Sequence, residues 1–179
     1  MIGSMSNPKI YIVTGISGSG KTTVARVLNE RREIAFDSKI NAGLYNFVDE
    51  TGNVSREQRW NDSDWRAKYK WSLNRKMLET LIMQNKSAKQ LFLCGRANIY
   101  QYWDIADKIF LLKVNASTLQ KRLNNESRDN QFAKDTSTQR KLIENLESIQ
   151  QNLIKHGAIV IDAERDIDHV VRQILNEAE

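Results

Sequence analysis

The sequence predicts an α/β fold, a three-layer α/β/α sandwich built around a mainly parallel sheet. Two observations carry that expectation. Short apolar runs of strand length recur along the chain, and the segments between them repeat apolar residues at helical spacing. The length, 179 residues, suits a single domain over residues 1–179 with room for a small insert, and it is enough to bury a sizeable core without disulfides.

The elements follow in order. Lys9-Ile10-Tyr11-Ile12-Val13-Thr14 is apolar nearly throughout and ends at Gly15, as a strand buried on both faces does. Val24, Val27 and Leu28 then give a helix its inner stripe. Glu33-Ile34-Ala35-Phe36 reads as a second strand, Leu91-Phe92-Leu93-Cys94 as a third and Lys108–Val114 as a fourth. Ala158-Ile159-Val160-Ile161, after Gly157, is the fifth. Trp65, Tyr69, Leu73, Met77 and Leu81 fall four apart, widened by Leu78 and Ile82, and predict one long helix before the third strand. Leu142, Leu146, Ile149 and Leu153 predict another. Ile167, Val170, Val171, Ile174 and Leu175 close the chain with a third such stripe. Segments of about 38–62 and 126–136 are polar and weakly periodic. In this architecture they are excursions above the carboxyl ends of the strands, where ligands bind.

Composition narrows the function. The apolar runs fall well short of the roughly 20 residues that span a bilayer, and Met1-Ile2-Gly3-Ser4 does not open a signal-peptide pattern. The single cysteine forms no internal disulfide, so the expectation is a cytoplasmic protein with no membrane partner. A net charge of +5 favours anionic ligands, but the basic residues are dispersed and form no polybasic arm.

One motif carries chemistry. Gly15-Ile16-Ser17-Gly18-Ser19-Gly20-Lys21-Thr22 satisfies G-x-x-x-x-G-K-[ST], the phosphate-binding loop, between a predicted strand and a predicted helix. Its glycines let backbone N–H groups turn around phosphate oxygens, and the helix opened by Lys21, Thr22 and Thr23 aims its positive end at the same anion. Lys21 reaches the β- and γ-phosphates, and the Thr22 hydroxyl is a Mg²⁺ ligand. A GTPase would carry a guanine-reading carboxylate after Asn85-Lys86-Ser87, where Ala88 stands. Asp49-Glu50-Thr51-Gly52-Asn53 reads as a turn between extended pieces rather than as a GTPase switch. The strand ending Leu93-Cys94-Gly95-Arg96 lacks the acidic pair of a hydrolytic ATPase, so transfer of a phosphoryl group is favoured over its hydrolysis.

Taken together, the strand and G-K-T-T loop, the second strand ending Phe36-Asp37, the third ending Cys94-Gly95-Arg96, and the arginines between Leu119 and Arg128 resemble the small P-loop kinases. These are the adenylate kinase, shikimate kinase and gluconate kinase group, and the chain is similar to bacterial proteins described as kinase-like or AAA-family ATPases. The resemblance implies a P-loop NTPase with a five-stranded parallel core, like that of the nucleoside-monophosphate kinases, and an arginine-bearing lid. It places Asp37 near Mg²⁺, directly or through a water, and near the acceptor hydroxyl. Lys39 stands where such enzymes often carry a second acid, a departure from shikimate kinases. The alternative for Asp37 is the N-cap of a helix starting near Ser38.

The resemblance also assigns Arg122 to the adenine and Arg128, with Lys134, to the transferring phosphoryl. A solvated helix face is the alternative for Arg122. Arg96, with Asn98 and Tyr100 nearby, and Arg59, with Arg56, Trp60 and Trp65, are acceptor-side candidates; core packing is the alternative for Trp65 and Trp71. Cys94 reads as a small buried side chain, and His156 and His169 lack metal-like spacing. The expected function is transfer of the γ-phosphoryl of MgATP to a small-molecule acceptor, in the manner of nucleoside, nucleotide or shikimate kinases, by a monomer or homodimer. The rivals are a polynucleotide kinase, nucleic acid being the less favoured partner, and a nucleotide-dependent switch that binds a protein partner.

Overall fold

The computed structural model describes residues 7–38, 40–59, 62–95, 103–125, 133 and 135–179. Five strands form one sheet: β1 (Lys9–Thr14), β2 (Ala35–Asp37), β5 (Gln90–Cys94), β6 (Lys108–Lys113) and β7 (Ile159–Asp162). All pairings are parallel, in the spatial order β2-β5-β1-β6-β7. The first strand is therefore central, and consecutive connections leave it towards both edges. That is the arrangement that opens a crevice at the carboxyl ends of the strands.

The period of two sorts the core. Tyr11 and Val13, Phe92 and Cys94, and Phe110 and Leu112 face one side. Helices α1 (Lys21–Glu30), α4 (Ala116–Leu123), α5 (Thr136–Glu144) and α7 (Ile167–Ala178) cover it with Val24, Leu28, Leu119, Leu142, Val171 and Ile174. Ile10 and Ile12, Leu91 and Leu93, and Ile109 and Leu111 face the other side, under α3 (Arg75–Gln84) and the later turns of α6 (Leu146–Lys155). Both faces are dry, which is why the strands read as unbroken apolar runs. A row of rings, Phe92, Tyr11 and Phe110 at 5.3 and 5.8 Å, crosses three strands, and the Tyr11 hydroxyl donates to the Ala178 carbonyl at 2.5 Å. The last helix is thus pinned to the first strand.

Each edge strand is finished by a side-chain amide. At β2, Asn29 Nδ2 donates to the Ala35 carbonyl at 2.8 Å, and its Oδ1 accepts from the Ala35 N–H at 3.1 Å. At β7, Gln173 Nε2 donates to the Val160 carbonyl at 3.4 Å, and its Oε1 accepts from the Asp162 N–H at 3.3 Å. Each amide stands in for the next strand, satisfying backbone groups that an edge otherwise leaves unpaired.

Two expectations about elements are corrected. The stripe from Trp65 to Leu81 is not one helix. It divides into α2 (Ser63–Lys68), strand β4 (Lys70–Leu73) and α3. Strand β4 pairs antiparallel with β3 (Tyr45–Val48), giving a two-stranded sheet where an excursion and part of a helix were expected. Asn74 makes the break: its side chain accepts from the Met77 N–H at 3.1 Å and starts α3 afresh. The stripe from Leu142 to Leu153 likewise belongs to two helices, α5 and α6, with Asn145 between them. The turn at Asp49 is as expected: its Oδ1 accepts from the Thr51 and Asn53 N–H groups at 2.9 Å each, and Val48 bridges to Val54. These hydrogen bonds hold the Asp49 carboxyl down at about 2.

Candidate functional site

The site is built where β1 ends. Gly15 follows the strand, Ser19 N–H donates back to the Ile16 carbonyl at 3.1 Å, and Gly20 precedes α1, which has no side-chain cap. The first intrahelical bond runs from Val24 N–H to the Gly20 carbonyl, at 3.0 Å. The N–H groups of Lys21, Thr22 and Thr23 therefore lie ahead of the helical ladder, at its positive end. Thr22 and Thr23 are exposed, Ser17, Gly18 and Lys21 are half-buried, and Ser19 is buried. Lys21 folds back on the loop, its Nζ donating to the carbonyls of Gly15 and Ile16 at 2.9 and 2.8 Å, with Ser19 Oγ at 3.4 Å. A cationic head is thus held against the loop by the loop's own backbone.

Gly18 shows why this segment needs glycine. Its φ of +93° lies where L side chains rarely sit, and a Cβ there would meet Leu119 Cδ1 at 3.0 Å and Leu123 Cδ2 at 3.3 Å. Helix α4 therefore packs directly on the loop through Leu119 and Leu123.

Asp37 ends β2 and is 2% exposed. In register it lies opposite Cys94, which lies opposite Val13 of β1. Two strand spacings, about 10 Å, therefore separate the Asp37 backbone from the strand that leads into the loop. The Cys94 thiol between them is pushed up, by burial first and by the negative charge of Asp37 second, while Lys21 pulls it down. The charges of Asp37 and Lys21 are thus both felt at Cys94. The capping alternative for Asp37 also holds in part: its Oδ1 accepts from the Ile40 N–H at 2.9 Å. It closes a turn there, since residues 38–44 form no helix among the described residues.

Arg122 is held by two backbone carbonyls. It is neither on a solvated face nor exposed: Nη1 donates to the Ser19 carbonyl at 3.0 Å and Nη2 to the Ala163 carbonyl at 2.7 Å. Burial lowers the guanidinium's affinity for its proton and nearby Glu164 restores part of it. Arg59 stays within its own exposed loop, paired with Glu57 at 2.7 Å and Asp62 at 3.7 Å. Trp65 and Trp71 take the packing alternative, both contacting Phe47, at 4.7 and 4.9 Å between ring centroids. Cys94 is buried as expected. Arg96, Asn98, Tyr100, Arg128, Lys134, Lys39 and Trp60 lie outside the described residues.

One site residue escaped the sequence reading. Tyr45 of β3 lies against Gly95, just past β5, where a Cβ would come within 2.3 Å of the phenol oxygen. The alternation Leu44-Tyr45-Asn46-Phe47, buried at the first, second and fourth positions, was the signal available for it. This contact seats the β3–β4 pair at the same strand ends as Asp37.

Among the described residues no cluster of three His, Cys, Asp or Glu side chains is arranged to hold a metal, and no helix is long and apolar enough to cross a membrane. The hard oxygen donors at the site are the Thr22 hydroxyl and the Asp37 carboxylate. These suit Mg²⁺, which usually takes only one or two protein ligands beside phosphate and water.

A family described as an AAA domain matches residues 12–132. No curated protein matches the chain. Among solved structures, deoxyadenosine kinase from M. mycoides with bound dATP is similar at a TM-score of 0.55 and 18% identity, over 94% of this chain and 98% of that one. The structure of that enzyme with the products dCMP and a flexible dCDP gives 0.55 and 16% over the same shares. With bound dCTP it gives 0.51 and 17%, over 95% and 98%. At these identities the likeness is one of fold: the P-loop kinase-like arrangement of a parallel five-stranded sheet between helices.

Proposed function

The chain belongs to the AAA-domain family, and from that premise we propose that it is a phosphotransferase moving the γ-phosphoryl of ATP to a hydroxyl of a small molecule, with a nucleoside or nucleotide as the favoured acceptor class. The observation that carries this reading is a phosphate loop after β1 with a buried carboxylate at the end of β2, on the same side of the sheet and one strand removed across β5. The similarity to a deoxyadenosine kinase, at the level of fold, favours a nucleoside-like acceptor over shikimate.

In this reading the loop N–H groups from Ser17 to Thr23 hold the triphosphate, and Lys21 exchanges its loop carbonyls for phosphate oxygens as negative charge grows on them. Asp37 orients the acceptor hydroxyl and takes its proton on a carboxylate oxygen. The hydroxyl oxygen bonds to the γ-phosphorus while the bond from that phosphorus to the β–γ bridging oxygen breaks, and ADP leaves. Thr22 and Asp37 would hold Mg²⁺, which supplies neutralisation of phosphate charge when bound. Arg96 and Arg128 are proposed for the acceptor and the transferring phosphoryl, and the two-stranded sheet carrying Tyr45 for one wall of the acceptor site.

A screen of nucleosides, nucleoside monophosphates, shikimate-like and sugar-like alcohols, and short oligonucleotides for stimulated ADP release tests this. A product carrying new phosphate is expected from the first two groups, with Lys21→Ala abolishing it and Asp37→Ala lowering turnover far more than ATP affinity. Phosphorylation of oligonucleotides alone would replace the reading with a polynucleotide kinase. ATP turnover that no acceptor stimulates would replace it with a nucleotide switch.

A further inference from the structure

The proposed function does not use the two carbonyls that Arg122 holds, and they give it other work. The guanidinium spans two segments far apart in sequence, the phosphate loop at Ser19 and the turn after β7 at Ala163, through two separate nitrogens. Ala163 is itself fixed to the sheet, its N–H donating to the Lys113 carbonyl at 3.0 Å. The start of α4 is tied to the same turn, because the Asn115 N–H donates to Glu164 Oε1 at 2.7 Å. Leu119 and Leu123 of the same helix press on Gly18. The loop therefore rests on one face of α4, and Arg122 is the only link in that set that grips a loop carbonyl.

The consequence lies in the peptide plane. The Ser19–Gly20 peptide is trans, so its carbonyl and N–H point in opposite directions. With the Ser19 carbonyl drawn to Arg122, the Gly20 N–H is turned to the other side of the loop. We infer that Arg122 is a positioning residue for phosphate binding: it fixes the Ser19–Gly20 peptide with its N–H turned towards the bound anion, and it does so from the sheet through Ala163, without contacting the nucleobase. This rests on the reading of residues 15–22 as a triphosphate site.

Magnesium tripolyphosphate, which has no base, separates the two roles. Its affinity and that of MgATP are measured by calorimetry on the wild type, Arg122→Met and Arg122→Lys, with unfolding curves to establish that each variant is folded. Loss of two charge-assisted hydrogen bonds is expected to weaken both ligands by about 10- to 100-fold in Arg122→Met. The ratio of the two affinities stays unchanged, and Arg122→Lys, whose ammonium reaches one carbonyl, falls in between. Should Arg122→Met not fold, the same ratio in Arg122→Lys decides. Weakening confined to MgATP would overturn the inference in favour of stacking on the base, and unchanged affinity for both would overturn it outright. A wild type that binds neither ligand would fail differently, removing the proposed function and this inference with it.

Discussion

Replacing Gly18 with alanine tests the loop and its support together. The added Cβ meets two obstacles of different kind. One is the backbone, whose φ of +93° costs an L residue about 1–2 kcal/mol. The other is Leu119 Cδ1 at 3.0 Å, on a side chain that is fully buried and has little room to swing, so displacing it costs about 1 kcal/mol more. Against these, alanine narrows the unfolded ensemble and returns about 0.4–1 kcal/mol. The expected loss is about 2 kcal/mol, read as a shifted urea midpoint at constant slope. Adding Leu119→Ala removes the steric part and leaves the backbone part. The further cost of Gly18→Ala in that background should then drop by about 1 kcal/mol, a coupling well above measurement error. A loop that instead relaxes by turning its peptides would keep more stability and lose triphosphate affinity. Gly18→Ala costing under 0.5 kcal/mol with affinity intact would refute the account of both the conformation and the packing.

Other outcomes follow from the same fold. Asn29→Ala removes the amide that pairs both backbone groups of Ala35 and should cost about 2 kcal/mol by denaturant titration, with water recovering part of the loss. Arg32 has a φ of +67° just after α1, where its N–H and that of Glu33 donate to the Asn29 and Leu28 carbonyls. Arg32→Gly suits that position and should raise stability by up to about 1 kcal/mol in thermal unfolding. The Cys94 thiol is pushed up on folding, so the neutral form is the one the fold favours. Its contribution is complete below the unfolded value of about 8.5 and is lost as pH rises beyond it. Stability of the wild type should thus decline above about pH 9 more steeply than that of Cys94→Ala, and a thiol reagent at pH 8 should modify the native protein only at its unfolding rate.

The parallel strands and the phosphate loop were legible because their signals are local. A strand buried on both faces is apolar throughout, and the loop's residue types are required by the backbone they form. Strand β4 was not legible, for a reason in the periods themselves. Residues four apart share a face in a helix and in a strand alike, so Trp65, Tyr69, Leu73, Met77 and Leu81 fit a single helix as well as the helix, strand and helix observed. Asn74 before Arg75 was the discriminating feature, a cap in the middle of an apparent stripe. Asp37 was singled out at a strand end by resemblance, while its hydrogen bond to the Ile40 N–H needed the turn. Arg122 was singled out in the sequence, but its contacts were not legible there. Its partners are carbonyls 103 and 41 residues away, and backbone acceptors leave no mark in residue identity.

The two amides that finish β2 and β7 have a consequence for how relatives of this chain vary. A sixth strand can be added at either margin only if the backbone groups held by Asn29 or Gln173 are surrendered to it. The width of the sheet is therefore written in two side chains on α1 and α7, and an apolar residue at either place would announce a broader domain or a neighbour borrowed from another molecule.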